Sequence, residues 1–364
     1  MFNSSLRLLK KIEKYGFQAY IVGGYPRDLY LGRKSADVDI CTNAAPKDLK
    51  EIFKESMLPK EQYGSVTVIY NKIHYEITTF RKDLKYENNR LPIKIEYIND
   101  LKDDLKRRDF TINTLCIDSE GNLIDLLSSS KDLKEQVIKT VGIAKTKIKE
   151  DSLRILRAVR FATILNFKLD EDLKKSIKKY AYNLRNLSYH RKKEELDKIF
   201  SNTNVAYGIS LILALGLDKY LELKNLKDVV ITSNSIGIWA QLDVLDKYEF
   251  TSNEKELIKK IRECVEDYSL DNYALYKNGL YVVTIASEIL NKDKKEAIKK
   301  YMSLPIKSKK EIEINGNTIC YLLNIKPSRV IKEVMEDLES KILYSQLNNT
   351  TEDITEYLLK KYKG

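Results

Sequence analysis

Two short elements near the start of the chain carry residue types suited to the chemistry of phosphate transfer. Residues 23–28 (Gly-Gly-Tyr-Pro-Arg-Asp) join a glycine pair to an arginine, and residues 37–39 (Asp-Val-Asp) place two carboxylates one residue apart. Glycines let a backbone approach a triphosphate, and the helix start that follows can donate N–H groups to it. Alternate residues of a strand share a face, so Asp37 and Asp39 are predicted to point together. Such a pair suits Mg²⁺.

Either element alone is weak evidence, because a lone glycine pair usually marks a turn and paired aspartates are common at solvated strand ends. Their order, a glycine turn, then a helix, then the aspartate strand, is much less common. It predicts a nucleotide-polymerising site in which metal ions clamp the attacking and leaving oxygens. Asp37 and Asp39 are the predicted metal ligands.

A third element is an arginine-rich helix predicted to begin at Glu150. Arg154, Arg157 and Arg160 follow one side at three-residue steps, and apolar residues fill the other side. The alternative is a solvated face on which Asp151 and Arg154 form an ion pair. Three arginines without a lysine favour recognition of phosphates or bases, because guanidinium is a planar, permanently charged fork.

Asp151 and Arg154 together could select a base without a template. Cytosine and adenine both present an exocyclic amine beside an unprotonated ring nitrogen, so an aspartate can accept from the amine and an arginine can donate to the nitrogen. Uracil and guanine reverse both contacts, and a mismatch would leave buried polar groups unpaired at about 1–3 kcal/mol each.

A further basic segment, residues 107–113 (Arg-Arg-Asp-Phe-Thr-Ile-Asn), is either a basic loop before a buried strand or a second phosphate contact. The second interpretation places Arg108 against the triphosphate.

Residues 1–138 mix strands and helices, and the rest of the chain carries apolar residues at helical spacing almost throughout. The sequence therefore predicts a small α/β head followed by a long helical arm, without internal repeats. Asn71-Lys72 is predicted to be a hairpin turn. The predicted elements of the head are the helices Leu6–Tyr15 and Pro46–Phe53 and the strands Phe17–Val22, Asp37–Thr42, Ser65–Tyr70, Ile73–Thr79 and Phe110–Ile117.

Composition narrows the partners and the compartment. The 364 residues include 64 Lys and Arg against 53 Asp and Glu, and the net charge of +11 suits a polyanion such as nucleic acid. The four cysteines are far apart, which predicts reduced thiols without a disulfide or zinc site. Two histidines make histidine-centred catalysis a poor explanation. The N-terminus lacks a signal-peptide core, and the longest apolar run, near residues 209–217, is too short to span a bilayer. A cytoplasmic protein without membrane contact is predicted.

Over most of residues 18–200 the chain resembles the class II tRNA nucleotidyltransferases, or CCA-adding enzymes. This family shares its head fold with bacterial poly(A) polymerases and, more distantly, with DNA polymerase beta. Weaker likeness continues through residues 187–196 and 315–327. The resemblance rests on Gly23, Gly24, Arg27 and Asp28, on Asp37 and Asp39, on residues 76–81 (Glu-Ile-Thr-Thr-Phe-Arg), on residues 107–113, and on Glu150, Asp151, Arg154, Arg157 and Arg160.

The resemblance implies an α+β protein: a mixed-sheet catalytic head at residues 1–138, and a helical neck, body and tail at 139–200, 201–255 and 256–364. Three departures from the family pattern are His190 in place of a usual glutamate, Asn88 in place of an acidic residue, and Ser328-Arg329 where a glycine-rich turn is expected. The implied roles are Mg²⁺ binding for Asp37 and Asp39, a third catalytic carboxylate for Glu76, base recognition for Asp151 and Arg154, and nucleotide contacts for Gly23, Gly24, Arg27, Arg108, Arg157 and Arg160.

The implied activity is addition of CCA to tRNA 3′ ends from CTP and ATP, with no obligate protein partner. The alternatives are an A-adding enzyme, a poly(A) polymerase and, from another class, a non-catalytic RNA-binding protein of the same fold. Residues 78–92 look full length, whereas CC-adding members of the family have a shortened loop there. Because residues 80–90 are polar without an apolar period, they are predicted to form a mobile loop that switches the pocket from C to A.

Overall fold

The computed structural model describes residues 1–35, 37–54, 57–62, 64–87 and 91–363, with the backbone alone for 57–62, 85–87 and 91–94. These residues fall into two units, Met1–Lys227 and Asp228–Gly364. The first unit contains α1 (Phe2–Glu13), β1 (Ala19–Val22), α2 (Gly24–Tyr30), β2 (Asp39–Thr42), α3 (Pro46–Phe53), β3 (Met57–Gln62), β4 (Ser65–Tyr70), β5 (Ile73–Thr79), β6 (Arg81–Glu87), β7 (Leu91–Tyr97), α4 (Leu101–Arg107), β8 (Cys116–Ile117), β9 (Leu123–Ile124), α5 (Ser129–Lys134), β10 (Val137–Ile138), α6 (Ala144–Glu150), α7 (Leu153–Leu165), β11 (Lys168–Leu169), α8 (Glu171–Tyr180), α9 (Tyr189–Phe200), α10 (Val205–Ala214) and α11 (Asp218–Leu221).

A seven-stranded mixed sheet forms the head of the first unit, in the order β3-β4-β5-β2-β1-β8-β9. The β2–β5 pair is parallel and places Asp39 directly opposite Glu76. The other pairs of this sheet are antiparallel. Alternating apolar residues of the strands and the apolar faces of α1 and α3 share one core, which confirms the predicted mixed-sheet head.

The predicted hairpin turn at Asn71-Lys72 is confirmed. Both residues have positive φ, 49° and 62°, and the strands on either side pair Tyr70 with Ile73. Positive φ at both central residues is the backbone of a type I′ turn, whose twist matches that of the strands it joins. Asparagine tolerates this conformation, so the turn forms without glycine.

Three predictions about local structure are corrected. The helix predicted to begin at Glu150 begins at Leu153 (α7), and Glu150 is the last residue of the preceding helix α6. Residues 110–117 form a 3₁₀ turn, Thr111–Asn113, before the two-residue strand β8 rather than one long strand. In the segment predicted as a mobile loop, residues 80–90, residues 81–87 form strand β6, which pairs antiparallel with β7. Asn88, Asn89 and Arg90 lie outside the described residues.

The second unit is helical, and helix α14 is interrupted at Gly279, where φ is +75°. Among the residues that the structure describes, no helix is long and apolar enough to cross a membrane. The helices are α12 (Ser235–Gln241), α13 (Ser252–Glu266), α14 (Asn272–Ile289), α15 (Lys294–Met302), α16 (Gly316–Leu323), α17 (Arg329–Leu343) and α18 (Thr351–Tyr362).

Candidate active site

A cavity of about 610 Å³ opens in the first unit where β2 begins, and it collects residues that lie far apart in the sequence. Every predicted site residue except Glu76 lines it. Its walls also contain several residues that were not predicted to act there. The lining residues are Gly23, Gly24, Arg27, Asp28, Ser35, Asp37, Asp39, Arg81, Asp83, Arg107, Arg108, Asp109, Asn113, Asp151, Leu153, Arg154, Arg157, Arg160, Phe161 and Arg191.

Gly23 leaves room beside the carboxylate of Asp39. It precedes α2 with φ of +86°, and a Cβ built there would lie 3.3 Å from Asp39 Oδ2. A larger residue would therefore be strained in its backbone and crowded against the carboxylate. Strand β1 ends just before Gly23, and helix α2, which follows it, places Arg27 in the lining of the cavity.

The carboxylates at this end of the sheet are close enough to disturb one another. The pKa of Asp39 is raised, chiefly because its surroundings displace water and also because Glu76 and Asp37 are near, while Arg108 opposes the shift. Asp39 is the first residue of β2 and Asp37 precedes it, so the strand begins two residues later than predicted. Glu76 faces Asp39 across the parallel pair but does not line the cavity.

These oxygen donors fit a divalent cation. Within the described part of the chain, no three acidic, histidine or cysteine side chains already converge on one point as a complete ligand set. Mg²⁺ commonly takes only one or two carboxylates and completes its shell with water and substrate phosphate oxygens. A cation would also offset the repulsion that raises the pKa of Asp39.

A buried carboxylate outside the predicted set of site residues, Asp104, binds Arg108. Asp104 is fully buried on α4 and accepts from Arg107 Nε at 2.8 Å and from Arg108 Nη2 at 3.3 Å. It also accepts from the backbone N–H of Arg81, at the start of the β6–β7 hairpin. The segment Asp-Leu-Lys-Arg-Arg does carry the signal, since a helix places residues three and four apart on one face.

A hydrogen-bonded chain joins Arg27 to Arg157. Arg27 Nη1 donates to Asn113 Oδ1 at 2.7 Å, and Asn113 Nδ2 reaches Asp109 Oδ1 at 3.5 Å. Asp109 Oδ2 accepts from both Nε and Nη2 of Arg157. Although Asp109 is buried, which by itself raises a carboxyl pKa, Arg157 and the Phe110 N–H lower its pKa to about 2. Asp109 is therefore ionised at neutral pH.

Asp151 and Arg154 line the same cavity, but they do not form the ion pair that was expected if both lay on one helix. Asp151 lies between α6 and α7, where its Oδ1 accepts from the Leu153 N–H at 2.9 Å. Arg154 donates instead to Glu150 Oε2 at 2.7 Å and to the Lys147 carbonyl at 2.8 Å. Burial raises the pKa of Asp151, with Arg154 among the groups that oppose the shift. The solvated-face alternative is wrong, because Arg154 is only 6% exposed.

Helix α9 lies in the part of the chain where the family resemblance is weaker, and it contributes to the same wall of the cavity as α7. Glu195 is buried and lies 3.1 Å from Arg160. Arg191 lines the cavity, whereas its neighbour His190 is exposed and lies 3.6 Å from Glu194. The sequence pattern alone did not show that α9 would reach α7, because that contact depends on how the two helices pack.

Models of known families match most of the chain. The poly A polymerase head domain matches residues 19–139, the RNA- and SrmB-binding site of polymerase A matches residues 166–226, and tRNA nucleotidyltransferase domain 2 matches residues 216–358. The CCA-adding enzyme of Ligilactobacillus salivarius is 34% identical, covering 98% of this chain and 95% of that protein. The chain belongs to the CCA-adding enzyme family.

Other members of the CCA-adding enzyme family support the same placement. The enzyme of Bacillus licheniformis is 33% identical and covers 98% of both chains. The crystal structure of the Bacillus stearothermophilus CCA-adding enzyme in complex with CTP covers 100% of this chain and 98% of its own, with a TM-score of 0.84 and 26% identity. The Thermotoga maritima CCA-adding enzyme, solved with tRNA, has the same fold, with a TM-score of 0.68 at 23% identity. The resemblance found in the sequence is thereby confirmed.

Proposed function

We propose that this protein adds C, C and A to tRNA 3′ ends, using CTP and ATP and releasing pyrophosphate. The observation that carries the proposal is the single cavity in which the aspartates of β2, the arginines of α2 and α7, and Asp151 meet. Its family membership supports the reaction type, and relatives solved with CTP, ATP and tRNA support the substrates.

The proposed chemistry is attack by the terminal hydroxyl of the tRNA on the α-phosphate. Asp37 and Asp39 would hold Mg²⁺, which neutralises charge that develops on the phosphate oxygens. Glu76 is assigned as the third catalytic carboxylate, and it lies opposite Asp39 on the neighbouring strand β5. Gly23 and Gly24 admit the phosphates, and Arg27, Arg108, Arg157 and Arg160 bind and orient them.

Base choice is assigned to Asp151 and Arg154. Arg154 is oriented by Glu150 and the Lys147 carbonyl, so its guanidinium is held before a base arrives. Asp151 keeps one oxygen on the Leu153 N–H and would accept from the exocyclic amine of cytosine or adenine with the other. Both contacts would be reversed for uracil and guanine, which supports selection of C and A.

The remaining assignments concern organisation and place in the cell. We assign catalysis to the head (residues 1–138), nucleotide recognition to the neck (139–200), and tRNA binding to the tail (256–364), with the body at 201–255 between neck and tail along the chain. A cytoplasmic location agrees with the tRNA substrate.

Three tRNAs test the proposal: one that ends before CC, one that ends in CC and one that ends in CCA. Each is incubated with CTP, ATP or both in Mg²⁺, and the products are resolved at single-nucleotide resolution. We expect C, C and A on the first tRNA, A on the second and nothing on the third. Addition of A alone would favour an A-adding enzyme, long A tracts would favour a poly(A) polymerase, and tRNA binding without addition would favour a non-catalytic RNA-binding protein.

A further inference from the structure

Phe161 lies between the core of the first unit and the cavity. It belongs to α7, its side chain lines the cavity, and the residue is only 9% exposed. On its buried side it meets Phe110, with ring centroids 5.7 Å apart and an angle of 76° between the planes. This edge-to-face contact fixes the orientation of the Phe161 ring.

Three guanidinium groups lie over that one ring. The central carbon lies 4.5 Å from the ring centroid for Arg160, 5.4 Å for Arg27 and 5.6 Å for Arg157. All three distances fall inside the range of about 6 Å for attraction between a cation and an aromatic face. Arg27 comes from α2, whereas Arg157 and Arg160 come from α7, so the ring is a contact that the two elements share.

Each arginine also has a carboxylate, but these partners differ in quality. Arg27 donates twice to Asp28, and Arg157 donates twice to Asp109. The Nε atom of Arg160 lies 3.1 Å from Glu195, yet the orientation is not that of a hydrogen bond, and among the described residues this buried nitrogen has no hydrogen-bond partner. Arg160 is the arginine that lies closest to the ring.

We propose that Phe161 is a positioning residue that gathers Arg27, Arg157 and Arg160 into one binding site for a polyphosphate chain. An aromatic face attracts a guanidinium without using its N–H donors, so those donors stay available for phosphate oxygens. An aliphatic side chain of similar size would fill the space but would not offset the mutual repulsion of three cations. The inference rests on the proposed function for the identity of the nucleotide, but its ligand is the polyphosphate itself.

Paired variants separate the ring from the volume it fills. Phe161→Leu and Phe161→Met remove the aromatic face and keep an apolar side chain, and Phe161→Tyr keeps the ring. Phe167→Leu is the matched control, because Phe167 is also buried and follows the same helix. Thermal melting identifies the variants that fold, and the Leu and Met variants give two chances to obtain a folded protein without the ring.

Binding of inorganic tripolyphosphate, measured by titration calorimetry, is the decisive measurement. We expect the ring-removing variants to bind it about tenfold more weakly, equivalent to about 1.4 kcal/mol. Phe161→Tyr and Phe167→Leu should stay within about twofold of the unmodified protein, a difference of about 0.4 kcal/mol. The KM for CTP and for ATP should rise together in the ring-removing variants, without new incorporation of UMP or GMP.

Two results would overturn the proposal. The first is tripolyphosphate binding that is unchanged in a folded ring-removing variant. The second is a Phe161→Tyr variant that binds as weakly as Phe161→Leu, which would mean that side-chain shape matters and the ring does not. Because calorimetry requires no nucleotide addition, a protein that adds nothing to tRNA but shows the ring dependence would refute the proposed function and leave this inference standing.

Discussion

The arginines of α7 and the carboxylates at the start of β2 face the same cavity in different electrostatic states. Arg154, Arg157 and Arg160 each lie beside a carboxylate of this chain, on Glu150, Asp109 and Glu195. Asp39, in contrast, lies among like charges, and its pKa is raised by lost hydration and by the nearness of Glu76 and Asp37.

On the arginine side, carboxylates of the chain pair with the charges when the protein folds. On the carboxylate side, the charges are offset when a cation binds. Each arginine of α7 lies beside a carboxylate of the chain, so removal of that carboxylate leaves a buried charge uncompensated. The carboxylate side is strained by like charges, so loss of one carboxylate relieves repulsion while it removes a ligand for a cation. Loss of a carboxylate that pairs with an arginine should therefore lower mainly stability, whereas loss of a carboxylate at the start of β2 should lower mainly activity.

The largest effect is expected for Asp39→Asn. Loss of a metal ligand removes several kcal/mol of transition-state stabilisation, and about 4 kcal/mol corresponds to about a thousandfold slower addition of both CMP and AMP. The melting temperature without added metal should stay the same or rise, because a like-charge contact is lost. Asp103→Asn, on the exposed side of α4, is the control that should keep activity. Near-normal addition by Asp39→Asn would show that Asp39 does not hold the metal.

The next effect concerns the β6–β7 hairpin, which contributes Arg81 and Asp83 to the cavity. Replacing residues 86–93 by Asn-Gly keeps the pairs from Arg81–Tyr97 to Lys85–Lys94 and shortens the hairpin. We expect CC addition to continue and addition of the final A to fall about a hundredfold, as a small displacement of reacting groups can cause. ATP with a CC-ended tRNA, beside CTP with a tRNA lacking CC, measures the two steps. Equal loss of both steps would indicate a purely structural hairpin.

Arg154→Ala should weaken discrimination among bases more than it weakens binding of triphosphate. Each mispaired polar group costs about 1–3 kcal/mol, so UMP and GMP should be incorporated roughly tenfold to a hundredfold more often relative to CMP and AMP. Arg157→Ala is the matched comparison on the same helix, and it should raise KM for all nucleotides alike. Unchanged selectivity in Arg154→Ala would contradict recognition of the base by this side chain.

Asp109→Asn should give the smallest effect and should act on stability. The pKa of Asp109 is lowered from the usual 3.8 to about 2 by Arg157 and the Phe110 N–H. Its charge therefore stabilises the fold by about 2 kcal/mol at pH 7, and that contribution is lost as the pH falls from about 4 through 2. Urea unfolding of both proteins at pH 7 and pH 3 measures this, and the difference between them should shrink by about half at pH 3. A constant difference would mean that Asp109 is not held ionised by Arg157.

Much of the fold could be predicted because the signals are local. Asn71-Lys72 between two alternating apolar runs predicted the β4–β5 hairpin, and the predicted bounds of α3 agree with those in the structure. Strand β7 does carry an apolar alternation, at Leu91, Ile93, Ile95 and Tyr97. The hairpin was not predicted because the prediction rested on residues 80–90, which are polar and show no such period. The helix predicted from Glu150 begins at Leu153 instead, because its apolar period marks only residues from Leu153 onward and Ser152 stands at its N-cap.

The sequence by itself determined which residue types could bind a triphosphate and a cation, since the glycine pair, the paired aspartates and the arginine helix are each contiguous. Only the tertiary structure decided their partners. The parallel register of β2 and β5 sets Glu76 opposite Asp39, and the packing of residues 109–113 against α2 and α7 joins Arg27 to Arg157. The Asp39–Glu76, Asp109–Arg157 and Arg27–Asn113 contacts link residues 37 to 86 positions apart, and no local period encodes such pairings. They follow from how the sheet and helices pack, and therefore from the whole chain.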